Sequence, residues 1–489
     1  MNLKELIQDY DYELIQGNLD VDIKSLTIDS RTVLDGSLFA CIAGFNVDGH
    51  KYIESAYEKG AVAVLCTEDV EIPNGLTAIK VKNSREALAY ISNKFYSNPS
   101  GKFRLTGVTG TNGKTSSTYF IETILNSVNR KTGIIGTVET RIGGKKFDFE
   151  KAGIHIATST TPDTIELNML FDKMANEKVD DVIMEVSSHA LELNKVDYCN
   201  FEIGIFTNLT QDHLDLHGSM ENYCKAKARL FKMCKYGILN ADDKYFSDIT
   251  KDATCEITTF GIENDCDIKA ENIEYFMDRV DFDVEIENKV YKFELNVPGR
   301  FSVYNALGAI GATLKMGVAI EDIQKGISLI KGVPGRIQNV KNDKGFNVIV
   351  DYAHTPDGLE NIINAVREFT KGRVITVFGC GGDRDRKKRP IMGEISAKLS
   401  DFSILTSDNP RSEEPISILK EIEVGVKPIT DKYISIVDRK EAIFKAVEIA
   451  QKGDSVIIAG KGHEDYEIFK DRTIHFDDLE VAKEALEEL

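Results

Sequence analysis

The stretch FRLTGVTGTNGKTSSTYFIETILNSV, residues 103–128, decides how the chain is read. It runs from an apolar strand through a glycine-rich turn into a helical pattern. Within it, Gly107–Ser116 (GVTGTNGKTS) carries the residue types of a phosphate-binding loop. Gly110 and Gly113 free the backbone to wrap phosphate oxygens, and the helix that follows offers amides and the positive end of its dipole. Lys114 can reach the outer phosphates, and the Thr115 hydroxyl can ligate Mg²⁺. The spacing is not that of the common GxxxxGK[ST] loop, since Val108 stands where that pattern needs glycine. A plain glycine-rich turn before a helix is the alternative, and the residue types in their strand–turn–helix setting favour phosphate.

Outward from this loop, 489 residues are too many for one core and suit about three domains. A hydrophobic fraction of 42% with 28% charged residues is that of a soluble globular chain. The net charge of −19 argues against a nonspecific nucleic-acid binder, which must neutralise phosphates over a broad surface. It leaves room for a local phosphate site built from backbone amides and a few cations. Eight cysteines without a CxxC spacing suggest neither a zinc module nor a redox motif. No apolar run reaches the ~18 residues of a membrane span, and MNLKELIQDYDYEL lacks a signal-peptide core. A cytoplasmic protein is expected.

Three regions follow from the pattern. Residues 1–98 alternate short apolar strands (SLFACIAG, AVAVLC, LTAIKVKN) with helical stretches, and SNPSGK has the composition of a linker. Residues 99–333 hold the loop and two continuous apolar runs, DVIMEV and FEIGIF, typical of buried parallel strands. Alternating segments between Asp265 and Val297 read as an antiparallel patch. Residues 334–489 repeat strand, polar turn, helix in NVIVDYAHTPDG, RVITVFGCGGDRD, FSILTSDNPRSEEP and SVIIAGKGHED. Four polar turns at the carboxyl ends of such strands point to one site rim. The expected class is α/β: a central, P-loop-type, mostly parallel sheet and a C-terminal doubly wound, Rossmann-like sheet.

Further candidates sit on the same rims. Glu185 and His213 each follow an apolar strand and are candidate metal ligands. The His213/His217 spacing also fits zinc, but no third zinc ligand lies near in sequence. Lys225, Lys227 and Arg229 read by spacing as a solvated helix face. Asn305, Arg336 and Asp351 form a candidate nucleotide clamp, with the Asp suited to ribose hydroxyls and the Arg to a γ-phosphate; a helix cap, a surface Arg and a turn Asp are the bland readings. Asn409 and Pro410 make a rigid turn that projects Arg411, suited to a carboxylate, and Glu464 suits an ammonium. Together they describe a pocket for a zwitterion. Arg384 follows a Gly turn at the head of a charge run.

Taken in order, TIDSRTVLDGSLFACIAG, GVTGTNGKT, TTPD, MEVSSHAL, TNLTQDHLDLHG, VDYAHTPD, FGCGGDRD, DNPRSEEP and AGKGHEDY resemble the Mur ligase family over essentially the whole chain. The resemblance implies three domains: residues 1–98 binding a UDP-substrate, 99–333 binding ATP and 334–489 binding an amino acid. It implies that Ser30 and the Phe45–Val47 stretch hold uridine. Thr160, Thr161, Ser187 and Lys195 would hold a muramoyl-dipeptide, and Gly110, Thr111, Asn112, Gly113, Lys114, Thr115 and Ser116 would cradle ATP. Thr115 and Glu185 would hold one Mg²⁺ and His213 a second, with Lys227 as an N6-carboxylysine. Asn305, Arg336 and Asp351 match the ATP clamp. Asp408–Arg411 is the DNPR sequence of members that add meso-diaminopimelate, and Arg384, Gly460 and Glu464 match the rest of that pocket. Lysine lacks the second carboxylate and would leave Arg411 unpaired, which such a site rejects strongly.

Two positions depart from the family pattern. Ser302 replaces a usual Asn, so one nucleotide contact is expected to be weakened or remade. Lys195 replaces a common Arg, exchanging a bidentate contact for a point charge. The expected activity is ATP-dependent addition of meso-diaminopimelate to the D-glutamate γ-carboxylate of UDP-N-acetylmuramoyl-L-alanyl-D-glutamate, by a monomer. The lysine-adding version of the same ligase, a folylpolyglutamate synthase and a nucleotide-hydrolysing regulatory protein are the alternatives.

Overall fold

The computed structural model describes residues 1–44, 47–149, 160–276 and 278–489. Among the described residues three large sheets, with helices on their faces, and one two-stranded sheet carry the fold. The first has five strands, all parallel except for the edge strand Glu13–Gln16. The second has eleven strands, with six parallel pairings at its centre. The antiparallel patch expected after Asp265 is the ribbon Ile268–Tyr275, Val280–Ile286 and Lys289–Leu295 at one edge. The third sheet has six strands, parallel except where Gln338–Asn339 joins an edge.

The apolar runs become central strands because both faces are covered. On one face of the second sheet Val108, Ile183, Ile205 and Ile238 pack against Phe120, Ile124 and Leu307. On the other, Leu105, Val182, Met184 and Phe206 pack against Leu170 and Phe171. Each fully buried side chain of this size contributes about 1.5–3 kcal/mol, so the sheet is a rigid base for its loops.

Strand order places the loop. Arg104–Thr109 lies between Asp181–Glu185 and Phe201–Phe206, with Val108 opposite Glu185 and Thr109 opposite Phe206. The three carboxyl ends therefore open on one another. In the third sheet Asn347–Asp351, Ser455–Ala459, Val374–Phe378 and Phe402–Leu405 are consecutive parallel neighbours, so the turns after them share one rim. SNPSGK is pinned rather than loose: Asn200 donates to Asn98 Oδ1 at 2.6 Å and to Ser100 Oγ at 3.1 Å. Among the described residues no helix is long and apolar enough to cross a membrane.

Candidate active site

The loop after Thr109 turns on two glycines. Gly110 (φ 153°) and Gly113 (φ 85°) are both crowded. A Cβ at Gly110 would meet Thr207 Oγ1 at 1.8 Å, and one at Gly113 would meet Asn305 Oδ1 at 2.3 Å. The helix Lys114–Ser127 starts directly after Gly113, so its free amides face the loop. The turn is braced from the neighbouring strand: Thr207 Oγ1 donates to the Asn112 carbonyl at 2.6 Å, and Asn208 Oδ1 accepts the Asn112 amide at 2.9 Å. The Thr111 hydroxyl donates to the Thr210 carbonyl at 3.2 Å, and Ser116 is half-buried in the first helical turn.

Cations collect here. Lys114 Nζ donates to the carbonyls of Gly110 and Thr111 at 3.0 and 2.8 Å. Lys227, 1% exposed, donates to the same Gly110 carbonyl at 2.8 Å and lies over the Tyr223 ring. Its helical spacing suggested a solvated face, yet the short helix Met220–Ala228 turns this position inward. Burial, and then the nearby Lys114 charge, push the Lys227 amine well below the usual lysine range. Burial likewise lowers Lys114, with Arg336 adding to the effect and Glu185 opposing it. Crowded cations cost stability in the free protein, and a polyphosphate would offset that cost.

Glu185, 1% exposed, links the loop to the neighbouring space. It accepts Thr115 Oγ1 and the Thr137 amide, each at 2.9 Å. The Thr137 hydroxyl is 3.1 Å from Glu185 Oε2 and 3.0 Å from Thr160 Oγ1. Thr161 donates to the Glu185 carbonyl and accepts the Ser187 amide. His213 takes a left-handed φ of 51° beside Asp212, and desolvation in the cleft pushes its pKa down to about 4 against the pull of Asp212. His217 is buried, with Nε2 3.0 Å from Ser188 Oγ.

The candidate clamp comes from two elements. Asn305, on the helix Arg300–Lys315, lies against Gly113 with Ser117 Oγ 3.5 Å away. Arg336 lies over the Tyr352 ring, and its Nε is buried without a hydrogen-bond partner among the described residues. Ile337, next to it, is held at φ 39°, a strained conformation for a β-branched residue. Asp351 holds that strain, since its Oδ2 accepts the Ile337 amide and its Oδ1 the Ala353 amide, both at 2.8 Å. Its carboxylate thus fixes the segment that aims Arg336, a role the ribose reading did not include. Ser302 donates to the Pro298 carbonyl at 2.8 Å, just before its own helix.

A cavity of about 1660 Å³ runs between the second and third units. Thr160, Thr161, Ser187, Lys195 and His213 line one side, and Arg384, Asp408, Asn409, Arg411, Gly460 and Glu464 the other. Lys195 is paired with Asp163 at 2.6 Å. Asn409 is fixed by two donors on Oδ1, Lys461 Nζ at 3.1 Å and the Ile468 amide at 3.0 Å, which turns its Nδ2 to Glu464 Oε2 at 2.9 Å. Burial raises the Glu464 carboxyl, with Asp408 adding to the effect. Asp408 lies 3.7 Å from the buried Lys461, and Gly460 (φ 124°) lets the chain pass close beside Asp408. Pro410 leads into Arg411, held at φ 51° with Nη1 donating to the Gly382 carbonyl at 2.9 Å. Among the described residues neither Arg411 nor Arg384 has an ion-pair partner. Both guanidiniums are therefore available to an anionic ligand.

Ser30 lies in the first unit, buried in the turn after Ser25–Thr27, with Lys59 donating to its carbonyl, and it does not line the cavity. Phe45 and Asn46 fall outside the described residues, and Val47 is exposed. Among the described residues, Asp48, His50 and Glu68 are close enough together to hold a metal. Both His50 ring nitrogens are already engaged, Nδ1 by Asp48 and Nε2 by the Thr67 amide, so the cluster reads as a braced turn.

The structure adds residues that the sequence did not single out. Asp357, in the first turn of Pro356–Phe369, accepts a hydrogen bond from the Asn112 side chain. Lys461 sets the Asn409 amide, and Thr137 couples Glu185 to Thr160. Their only signal was membership of quoted motifs (TPDG, GKGHED) or a short polar turn, neither of which shows its long-range partner.

The glycine loop is linked through Thr115, Glu185 and Thr137 to Thr160 in the cavity wall, and Arg384, Arg411 and Glu464 stand across that cavity; this is the arrangement of an ATP-using, amide-bond-forming ligase. Three family descriptions match the chain: "Mur ligase family, catalytic domain" over residues 22–96, "Mur ligase middle domain" over 108–313 and "Mur ligase, glutamate ligase domain" over 335–462. The chain belongs to the Mur ligase family. It is 49% identical over 492 residues, covering all of both chains, to UDP-N-acetylmuramoyl-L-alanyl-D-glutamate--2,6-diaminopimelate ligase 1 of Clostridium acetobutylicum. It is 47% identical, again over all of both chains, to the enzyme so named from Clostridium botulinum. A solved structure titled as the same ligase superposes with a TM-score of 0.71 at 29% identity, covering 100% of this chain and 99% of the other.

Proposed function

We propose that the protein adds meso-2,6-diaminopimelate to the D-glutamate γ-carboxylate of UDP-N-acetylmuramoyl-L-alanyl-D-glutamate, using ATP, as a cytoplasmic step in making peptidoglycan precursors. The observation that carries the reading is the position of Arg411, without an ion-pair partner among the described residues and 2.9 Å from the Gly382 carbonyl, in the cavity that also reaches Thr160 and Thr161. A diaminopimelate carboxylate can pair with that guanidinium, and Glu464 with an ammonium.

In this reading a γ-carboxylate oxygen attacks the γ-phosphorus of ATP, and ADP leaves. The diaminopimelate amine then attacks the acyl carbon, loses a proton, and inorganic phosphate departs with the carboxylate oxygen. Lys114 and the backbone amides before it neutralise the phosphates, and Arg336 faces the charge that develops on the transferring group. Thr160, Thr161 and Ser187 position the dipeptide next to Glu185.

The donor set suits Mg²⁺. Thr115, Glu185 and His213 are hard or borderline ligands, and the Lys227 amine, its pKa pushed down by burial, can add to CO₂ with loss of a proton as a carbamate that would supply two more oxygens. Two Mg²⁺ held there would offset phosphate charge. The test uses dipeptide substrate with ¹⁸O in the γ-carboxylate. Transfer of one ¹⁸O to the released phosphate supports the acyl phosphate, and unlabelled phosphate alone sinks it.

A further inference from the structure

Two cysteines far from the cavity share one small space. Cys234 opens the strand Cys234–Asn240, and Cys255 directly precedes its parallel neighbour Glu256–Gly261, with Tyr236 opposite Glu256. The space exists because two glycines face each other in the same sheet, Gly237 on the strand of Cys234 itself and Gly204 on the strand at its other side. Gly204 and Gly237 are register partners. A Cβ built on Gly204 would meet Cys234 Sγ at 2.9 Å, and one built on Gly237 would meet Cys255 Sγ at 2.8 Å. The Phe231 ring closes over both positions, at 3.3 and 3.2 Å. Both sulfurs therefore border the space beside the Phe231 ring, on neighbouring strands, and one strand spacing is within the backbone separation that a disulfide spans.

We propose that Cys234 and Cys255 are a modification site, a dithiol that a low-molecular-weight disulfide converts into an intramolecular disulfide. Access divides the labour. Cys234 is 7% exposed, whereas Cys255 is only partly covered and can be reached from solvent. The neighbouring thiol lowers the Cys255 pKa and raises that of Cys234, with burial adding to the rise. Cys255 is thus the attacking thiolate and Cys234 the resolving thiol.

The Cys255 thiolate attacks one sulfur of the reagent RSSR, forms a mixed disulfide and expels RS⁻. Cys234 gives up its proton and attacks Cys255 Sγ, forming the Cys234–Cys255 bond and expelling the second RS⁻. The two cysteine protons end on two RSH, so the reagent is reduced by two electrons and the protein loses two hydrogens. Cys41, just past the strand Ser37–Ala40, and Cys66, at the end of its neighbour Ala61–Cys66, are both fully buried with thiols raised by burial, and they serve as an internal control. The bond would staple the strand carrying Asn240, whose amide donates to the Thr207 carbonyl below the phosphate loop.

The experiment treats the native full-length chain with oxidised glutathione and maps its peptides by mass spectrometry. The expected product is a reducible Cys234–Cys255 cross-link, with Cys41 and Cys66 still free. C234S should stop at a stable glutathione adduct on Cys255, and C255S should give neither adduct nor cross-link. A wild-type chain that stays glutathionylated on Cys255, or keeps both thiols free under conditions that oxidise the unfolded chain, overturns the proposal.

Discussion

The side-chain amide of Asn112 donates a hydrogen bond to the carboxylate of Asp357, tying the phosphate loop of the second unit to a helix start in the third. Burial raises the Asp357 carboxyl, so the contact sits in a poorly solvated gap between the two units. Asp357→Ala is expected to raise the KM for ATP by about tenfold, the worth of one hydrogen bond to a charged group. The KM for diaminopimelate should change little. Steady-state kinetics with each substrate varied in turn checks the split.

The cation cluster separates catalysis from stability. Lys114→Ala is expected to lower kcat by about a thousandfold or more, as loss of a charge on the transferring phosphoryl group does. Its thermal midpoint should stay level or rise, because Lys227 and Arg336 lose a like-charged neighbour. Calorimetry beside a turnover assay reads both.

Lys227 allows a prediction in pH. Its folded pKa lies below the ordinary lysine value of 10.5, so below that value the unfolded chain binds more protons than the folded one. Stability from this group therefore rises with pH and is lost as pH falls from 10.5 through the folded pKa. In CO₂-free buffer at pH 7, Lys227→Met should melt no lower than the wild type while losing activity. Wild-type activity should fall on removing CO₂ and return with bicarbonate.

Much of this was legible in order along the chain. The loop of Gly110 and Gly113 is local: two glycines, a lysine and a helix start announce themselves within ten residues. Lys227 is the opposite case, since helix spacing marks it as solvated and only packing against Tyr223 and Gly110 turns it inward. Asp351 was legible as a strand-end carboxylate but not as the brace of Ile337, because a positive φ leaves no trace in residue type. The departure at Ser302 ends on the Pro298 carbonyl just before its own helix, so its hydroxyl is committed away from the loop.

The pocket proposed for the amino acid rests on a buried cation. Lys461 donates to Asn409 Oδ1 and the Tyr466 carbonyl, and so decides which way the Asn409 amide faces. Lys461→Met should raise the KM for diaminopimelate at least tenfold with the KM for ATP unchanged. Arg411→Ala should cost about two orders of magnitude or more in kcat/KM for diaminopimelate, while any activity with lysine is not reduced.

The most direct test of the whole account is ADP release by the purified chain given ATP, Mg²⁺ and UDP-N-acetylmuramoyl-L-alanyl-D-glutamate, with meso-diaminopimelate in one sample and L-lysine in another. The account expects release to rise only with diaminopimelate and the tripeptide product to appear by mass spectrometry. Release driven equally well by lysine would contradict the role given to Arg411, and release indifferent to both amino acids would contradict the ligase itself.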